Sequence, residues 1–197
     1  MKIKISPFFI LMMVVFVISD ATLYIFPIIL SAAAHEMGHI LAIYLSKGKI
    51  SKIHILPFGA QITIFNKENI SYKKEIIISA SGVLVNFILL LISVFLNYYF
   101  DMQILLFMSF CNLSLMLINL VPIYPLDGGR ILYAFLLLKL DIVKATLFSD
   151  ILSLIFLVLL LSLGIYVFIV TGYNFSLLLI GVYLVFAYIV KSFIRKC

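Results

Sequence analysis

The sequence predicts an all-α polytopic membrane protein: six transmembrane helices, with one small β-hairpin at the membrane surface between the second and third. Three observations carry this. Of 197 residues, 65% are hydrophobic and 11% charged, whereas a soluble domain has about 45–50% apolar and about 25% charged residues. Mean hydropathy is +1.30, more apolar surface than one water-excluded core can hide. Apolar runs near the roughly 17–25 residues that cross a bilayer recur along the chain, broken by charges or by Pro and Gly. At this length a single membrane domain over residues 1–197 is expected.

Lys2 and Lys4 precede an apolar stretch from Pro7 to Ser19. It looks like a signal peptide, but no small-residue cleavage site precedes Asp20 and apolar sequence resumes at once, so a retained first span, Ile5–Ser19, is expected. The second span is Ala21–Ser46. In the Lys47–Lys74 connection, Lys52–Leu56 and Ala60–Phe65 are β-branched runs separated by the turn residues Pro57–Gly59, which predicts the hairpin. Its edge is a place for strand addition. Spans three and four are Glu75–Phe100 and Met102–Val121, parted by Asp101. The stretch "NLVPIYPLDGGR" (Asn119–Arg130) then breaks the pattern, and after the Arg130–Lys144 connection follow spans five, Ala145–Val170, and six, Phe175–Ile194.

With Lys2 and Lys4 inside, all 14 Lys and Arg fall on one side, and the opposite connections hold Asp20 and Asp101. Basic residues accumulate on the cytoplasmic side of membrane proteins, so both termini are expected there. The net charge of +6 reflects this placement and not a nucleic-acid partner. Cys111 and Cys197 make no disulfide framework.

Within the second span lies "HEMGH", an H-E-x-x-H pattern. On a helix His35 and His39, four apart, share one face and can chelate zinc, while Glu36 beside them can act as general base toward an attacking water. The alternative is a His pair satisfied by hydrogen bonds inside the bundle, which is weak in a membrane, where ionisable residues are costly and mark function. Zinc with one open position needs a third protein ligand. No third histidine completes the longer metzincin pattern, and Ala42 stands where that pattern has glycine. His54 falls in the hairpin and reads as a surface histidine; Glu68 and Glu75 read as solvated charges. Asp127 is the better candidate, because Pro122, Pro125 and the Gly128–Gly129 pair must interrupt a helix there, and irregular backbone at membrane depth lines protein or a wet cavity. His39 and His35 stand 7 and 11 residues before Ser46, about 10 and 16 Å deep at about 1.5 Å per residue. Asp127 lies three residues before interfacial Arg130, so its segment can dip to meet them. Read alone, Asp127 is also a plausible helix cap.

"HEMGH", "SASGVLVN" (Ser79–Asn86) and "NLVPIYPLDGG" resemble, in order and spacing, the site-2 protease family of intramembrane zinc metalloproteases (peptidase M50), closest to the branch typified by stage IV sporulation protein FB. The resemblance covers nearly the whole chain. It implies one zinc on His35, His39 and Asp127, Glu36 as catalytic base, and Asn119 as a contact for the substrate or its developing oxyanion. Asn86 is either a second such contact or a residue hydrogen-bonding across helices; Gly82, four before it, reads as a packing glycine. The implied activity is hydrolysis of a peptide bond in or near a membrane-associated segment of a regulatory protein, such as a sigma-factor precursor in sporulation. Members of this branch carry a nucleotide-sensing CBS domain after the last span; neither that nor a PDZ insertion is expected here, so control by membrane-embedded partners is. The competing function is a transporter or metal permease using the same His and Asp residues, which would need polar groups along several spans. Spans one, five and six have almost none.

Overall fold

The computed structural model describes residues 2–7, 9–11, 14, 24–56, 59–65 and 70–196. The expected first span therefore lies largely outside the described residues, as do Glu68, Cys197 and two of the three hairpin-turn residues. The chain forms two compact units, Met1–Ile118 and Asn119–Cys197.

In the first unit, strand β1 (Lys2–Ile5) and helix α1 (Ile25–Leu45) precede β2 (Lys49–Leu56) and β3 (Gly59–Phe65). Helices α2 (Tyr72–Phe100) and α3 (Gln103–Leu120) follow. The expected hairpin forms, with Ile53 opposite Ile62 and Ile50 opposite Ile64. It is one strand short of the real sheet, because β1 adds in parallel to β2, Lys4 opposite His54 and Ile5 opposite Ile55. The sequence "KIKI" alternates with the period of two that suits a strand and matches the "KIHI" of its partner. Reading those lysines as the positive flank of a span hid the strand. The inner face of the hairpin closes a small core in which Ile64 packs with Ala42 and Ile43 of α1 and Ile78 of α2.

Helix α1 reverses the pattern of a soluble helix. Its buried stripe is Pro27, Ser31, His35, Gly38, His39, Ala42 and Ile43, while Phe26, Met37, Leu41 and Tyr44 face outward. In lipid this arrangement is expected, since tails solvate apolar side chains and the polar ones seek each other. Helix α2 starts at Ser71, whose Oγ accepts the Lys74 backbone N–H at 3.4 Å, and Lys74 Nζ donates to Ser46 O at 3.1 Å, tying α2 to the end of α1. The two helices approach very closely. A Cβ on Gly38 would stand 2.9 Å from Ser81 O and 3.2 Å from Gly82 Cα. The two buried residues of α3 are its polar Ser109 and Asn112.

In the second unit, α4 (Asp127–Leu137), α5 (Ile142–Thr171) and α6 (Ser176–Lys196) follow an irregular turn. Their core is Ile123, Leu157, Leu160 and Leu184. The expected Arg130–Lys144 connection is thus helical through Leu137.

Helices α1, α2, α3 and α5 are long and apolar enough to cross a membrane. The protein is an integral membrane protein. Among the described residues four helices, against the six expected, have spanning length and composition.

Candidate metal centre

The H-E-x-x-H stretch is helical, as its spacing requires, and it places His35 and His39 one turn apart on the buried face of α1. Their rings meet edge to face with centroids 4.8 Å apart. Each ring is anchored through Nδ1: that of His35 hydrogen-bonds Asn86 Oδ1 at 2.5 Å, and that of His39 the backbone carbonyl of Ile78 at 2.8 Å. Ser81 Oγ donates to the same carbonyl at 2.6 Å. Both acceptors are oxygens, so each Nδ1 carries the proton, and in neutral imidazoles the lone pairs then sit on Nε2. These two Nε2 atoms face each other 3.2 Å apart. With both unprotonated this is no hydrogen bond; it is a pair of donors aimed at one cation. Two imidazoles with Nδ1 fixed by oxygen acceptors form the donor set that suits zinc.

Space for the rings comes from Gly82 on α2. A Cβ there would lie 2.5 Å from His39 Nε2 and 2.7 Å from His35 Cε1, so this glycine leaves room for the imidazoles as well as for helix packing. Glu36, half-buried, points toward the sheet, where its Oε1 accepts the Ala60 backbone N–H at 2.7 Å. Gly59, just before, has φ +120°, a conformation left to glycine, and a Cβ there would stand 3.1 Å from the same oxygen. The first outward N–H of the β3 edge is therefore occupied by Glu36.

Asn86 is fully buried, with its Nδ2 donating to Asn112 Oδ1 at 2.9 Å and Ser31 O at 3.3 Å. With its oxygen on His35, no donor of Asn86 is left for a substrate. His54 lies in β2 opposite Gln61, and Glu75 occupies the first turn of α2.

In the second unit, Asp127 is the first residue of α4 and 5% exposed. Its Oδ1 lies 4.0 Å from Arg130 Nη1. The turn before it folds back tightly: a Cβ on Gly128 would stand 2.6 Å from Val121 O, and one on Gly129 2.6 Å from Ile123 O. Ser153 of α5 holds the turn, donating to Pro122 O at 3.3 Å and accepting the Tyr124 N–H at 3.4 Å. Asn119, half-buried, stands in the last turn of α3.

The sequence model of Peptidase family M50 matches residues 23–103 and 99–163. The chain belongs to Peptidase family M50. Both segments of that family match are occupied by the residues above, with His35, Glu36, His39 and Asn86 in the first and Asn119 and Asp127 in the second. A zinc metalloprotease of Methanocaldococcus jannaschii is 36% identical over 121 residues, 59% of this chain and 35% of its own length. Stage IV sporulation protein FB of Bacillus subtilis is 28% identical over 153 residues, 74% of this chain and 51% of its own. The chain thus spans about a third and about half of these curated relatives. Among solved structures, a site-2 protease from Methanocaldococcus jannaschii superposes with a TM-score of 0.70 and 28% identity, covering 94% of this chain and 88% of that one.

No motif in the sequence marks Ser31 or Asn112, nothing singles out Ser81 within Ser79–Asn86, and the spacing of Gly82 predicts packing alone. Ser31 precedes His35 by one turn, and Asn112 sits mid-way along an apolar helix, where an amide is costly without partners. Those were the available signals.

Proposed function

We propose that this M50 chain is an intramembrane zinc metalloprotease of the site-2 protease type, hydrolysing a peptide bond in or near a membrane-associated segment of a protein substrate. The observation that carries the proposal is the His35–His39 pair, with both Nδ1 protons held by oxygens and both Nε2 lone pairs converging, beside Glu36 on the same helix. Zinc supplies a Lewis acid that polarises the scissile carbonyl and acidifies the attacking water. His35 and His39 bind it. Asp127 is the proposed third ligand, supported by its burial at the head of α4 and by its place in the motif order. Glu36 takes a proton from the attacking water and delivers it to the leaving amine. Its Oε1 is steadied by the Ala60 backbone N–H. Asn119 is the proposed contact for the substrate carbonyl or its oxyanion.

By likeness to the sporulation protein, the substrate is a regulatory protein such as a sigma-factor precursor, and control comes from membrane-embedded partners. The distribution of basic residues supports a topology with both termini and the water path to the zinc on the cytoplasmic side. A cysteine at Asn174 should accordingly be labelled from outside only, and labelling from the cytoplasm would reverse the topology. The permease reading loses ground in α5, whose fully buried residues, Ala145, Ser149, Ser153, Leu157, Leu160 and Gly164, include no ionisable group, and whose one acidic residue is the half-buried Asp150.

Two substitutions test the proposal. Glu36→Gln should retain zinc and lose activity by at least about 10²-fold, the scale of general acid–base catalysis. Asp127→Ala should lose zinc and activity together. Near-normal cleavage of a co-expressed substrate by Glu36→Gln would remove the mechanism, and full zinc content in Asp127→Ala would remove that ligand.

A further inference from the structure

Three helices are joined beneath His35 by a chain of amides with a single direction. On α3, Asn112 Nδ2 donates to the backbone carbonyl of Met108 at 2.9 Å and to Ser31 Oγ at 3.0 Å. Its Oδ1 accepts from Asn86 Nδ2 of α2, which also donates to the backbone carbonyl of Ser31 on α1. Asn86 Oδ1 then faces His35 Nδ1. Ser31, Asn86 and Asn112 are each 0% exposed.

The direction follows from the backbone. Carbonyl oxygens only accept, so Met108 O obliges Asn112 to turn its NH2 that way and its oxygen toward Asn86. Ser31 O and Asn112 Oδ1 in turn oblige Asn86 to present its NH2 to them and its oxygen to His35. A flipped Asn86 would offer N–H to His35 Nδ1, move the ring proton to Nε2, and place an N–H where a metal lone pair is needed.

We infer that Asn112, with Ser31, is a positioning residue that fixes the amide of Asn86 and through it the metal-binding tautomer of His35. Metal-ligating histidines donate their other ring N–H to an oxygen partner, and losing such a partner weakens metal affinity about 10–100-fold. Asn112 acts one link further out, through Asn86. The proposal rests on zinc binding at the His35–His39 pair.

The test is zinc affinity of the purified full chain in detergent, by competition with a chromophoric chelator, alongside thermal unfolding of the metal-free protein. Asn112→Leu should weaken zinc binding about 10–100-fold, and Asn112→Ala, which keeps the helix and removes the same acceptor, should do so if the leucine variant does not fold. Ser109→Ala is the control. Ser109 Oγ donates to Ser93 Oγ at 3.0 Å between the same two helices, buried but unconnected to His35 by these bonds, so its loss should lower the unfolding temperature and leave zinc affinity unchanged. Wild-type affinity in either Asn112 variant overturns the inference, and so does an equal loss of affinity in Ser109→Ala. Failure of the underlying reading is separately visible: wild-type protein would bind no zinc, or bind it equally well as His35→Ala, and the relay would then have no ion to serve.

Discussion

At Gly82 on α2 an added Cβ would fall 2.5 Å from a side-chain atom of the helix packed against it, and at Gly181 on α6 it would fall 2.7 Å from one. In the first case the atom is His39 Nε2; in the second it is Leu161 Cδ2. Both helix pairs, α1–α2 and α5–α6, use glycine to come close, the usual means where lipid tails remove the hydrophobic drive for association. They fill the gained space differently. Between α5 and α6 it holds leucine, and the packing serves stability. Between α1 and α2 it holds two imidazoles whose hydrogen bonds must also be met by Ile78 O and by the Asn86 amide. The contrast shows that a glycine in a membrane helix is read by what stands opposite it, not by its spacing.

Gly82→Ala should break that contrast with the largest effect. The methyl cannot coexist with rings anchored through Nδ1, so the imidazoles must leave their oxygen partners, and zinc affinity should fall about 10–100-fold, as on loss of such a partner. Metal analysis giving wild-type zinc content at limiting metal would return Gly82 to packing alone. A smaller change is expected at Gly59, beside the general base. Its φ of +120° strains any other residue by about 1–3 kcal/mol, so Gly59→Ala should displace the Ala60 N–H from Glu36. Peptide cleavage should drop roughly tenfold, equivalent to about 1.4 kcal/mol, with zinc affinity intact. A parallel fall in zinc affinity would show that the sheet supports the histidines as well as Glu36.

The least effect belongs to α5–α6. Gly164 faces backbone, with Leu178 N 2.9 Å from its would-be Cβ, so Gly164→Ala should cost about 1–3 kcal/mol of stability, as overpacking does. Gly181 faces the end of a flexible leucine, and Gly181→Ala should cost less than Gly164→Ala by thermal unfolding. Zinc affinity should be unchanged in both. Zinc loss in either variant would mean that this pair too shapes the metal centre, and the comparison would fail.

The membrane class, the spans now seen as α1, α2, α3 and α5, the hairpin and the H-E-x-x-H helix follow from local pattern. Length and hydropathy decide whether a helix spans, and a four-residue spacing places two histidines on one face wherever the helix lies. The parallel strand β1 was not legible, because "KIKI" needs "KIHI", 50 residues later, beside it to become a strand. The same limit applies at the histidines. Which nitrogen carries the proton depends on oxygens of Ile78 and Asn86, and the direction of the Asn86 amide depends on carbonyls of Ser31 and Met108. Sequence supplies the donors and acceptors, but hydrogen-bond direction is a property of neighbours in space. It was settled only when α1, α2 and α3 packed together.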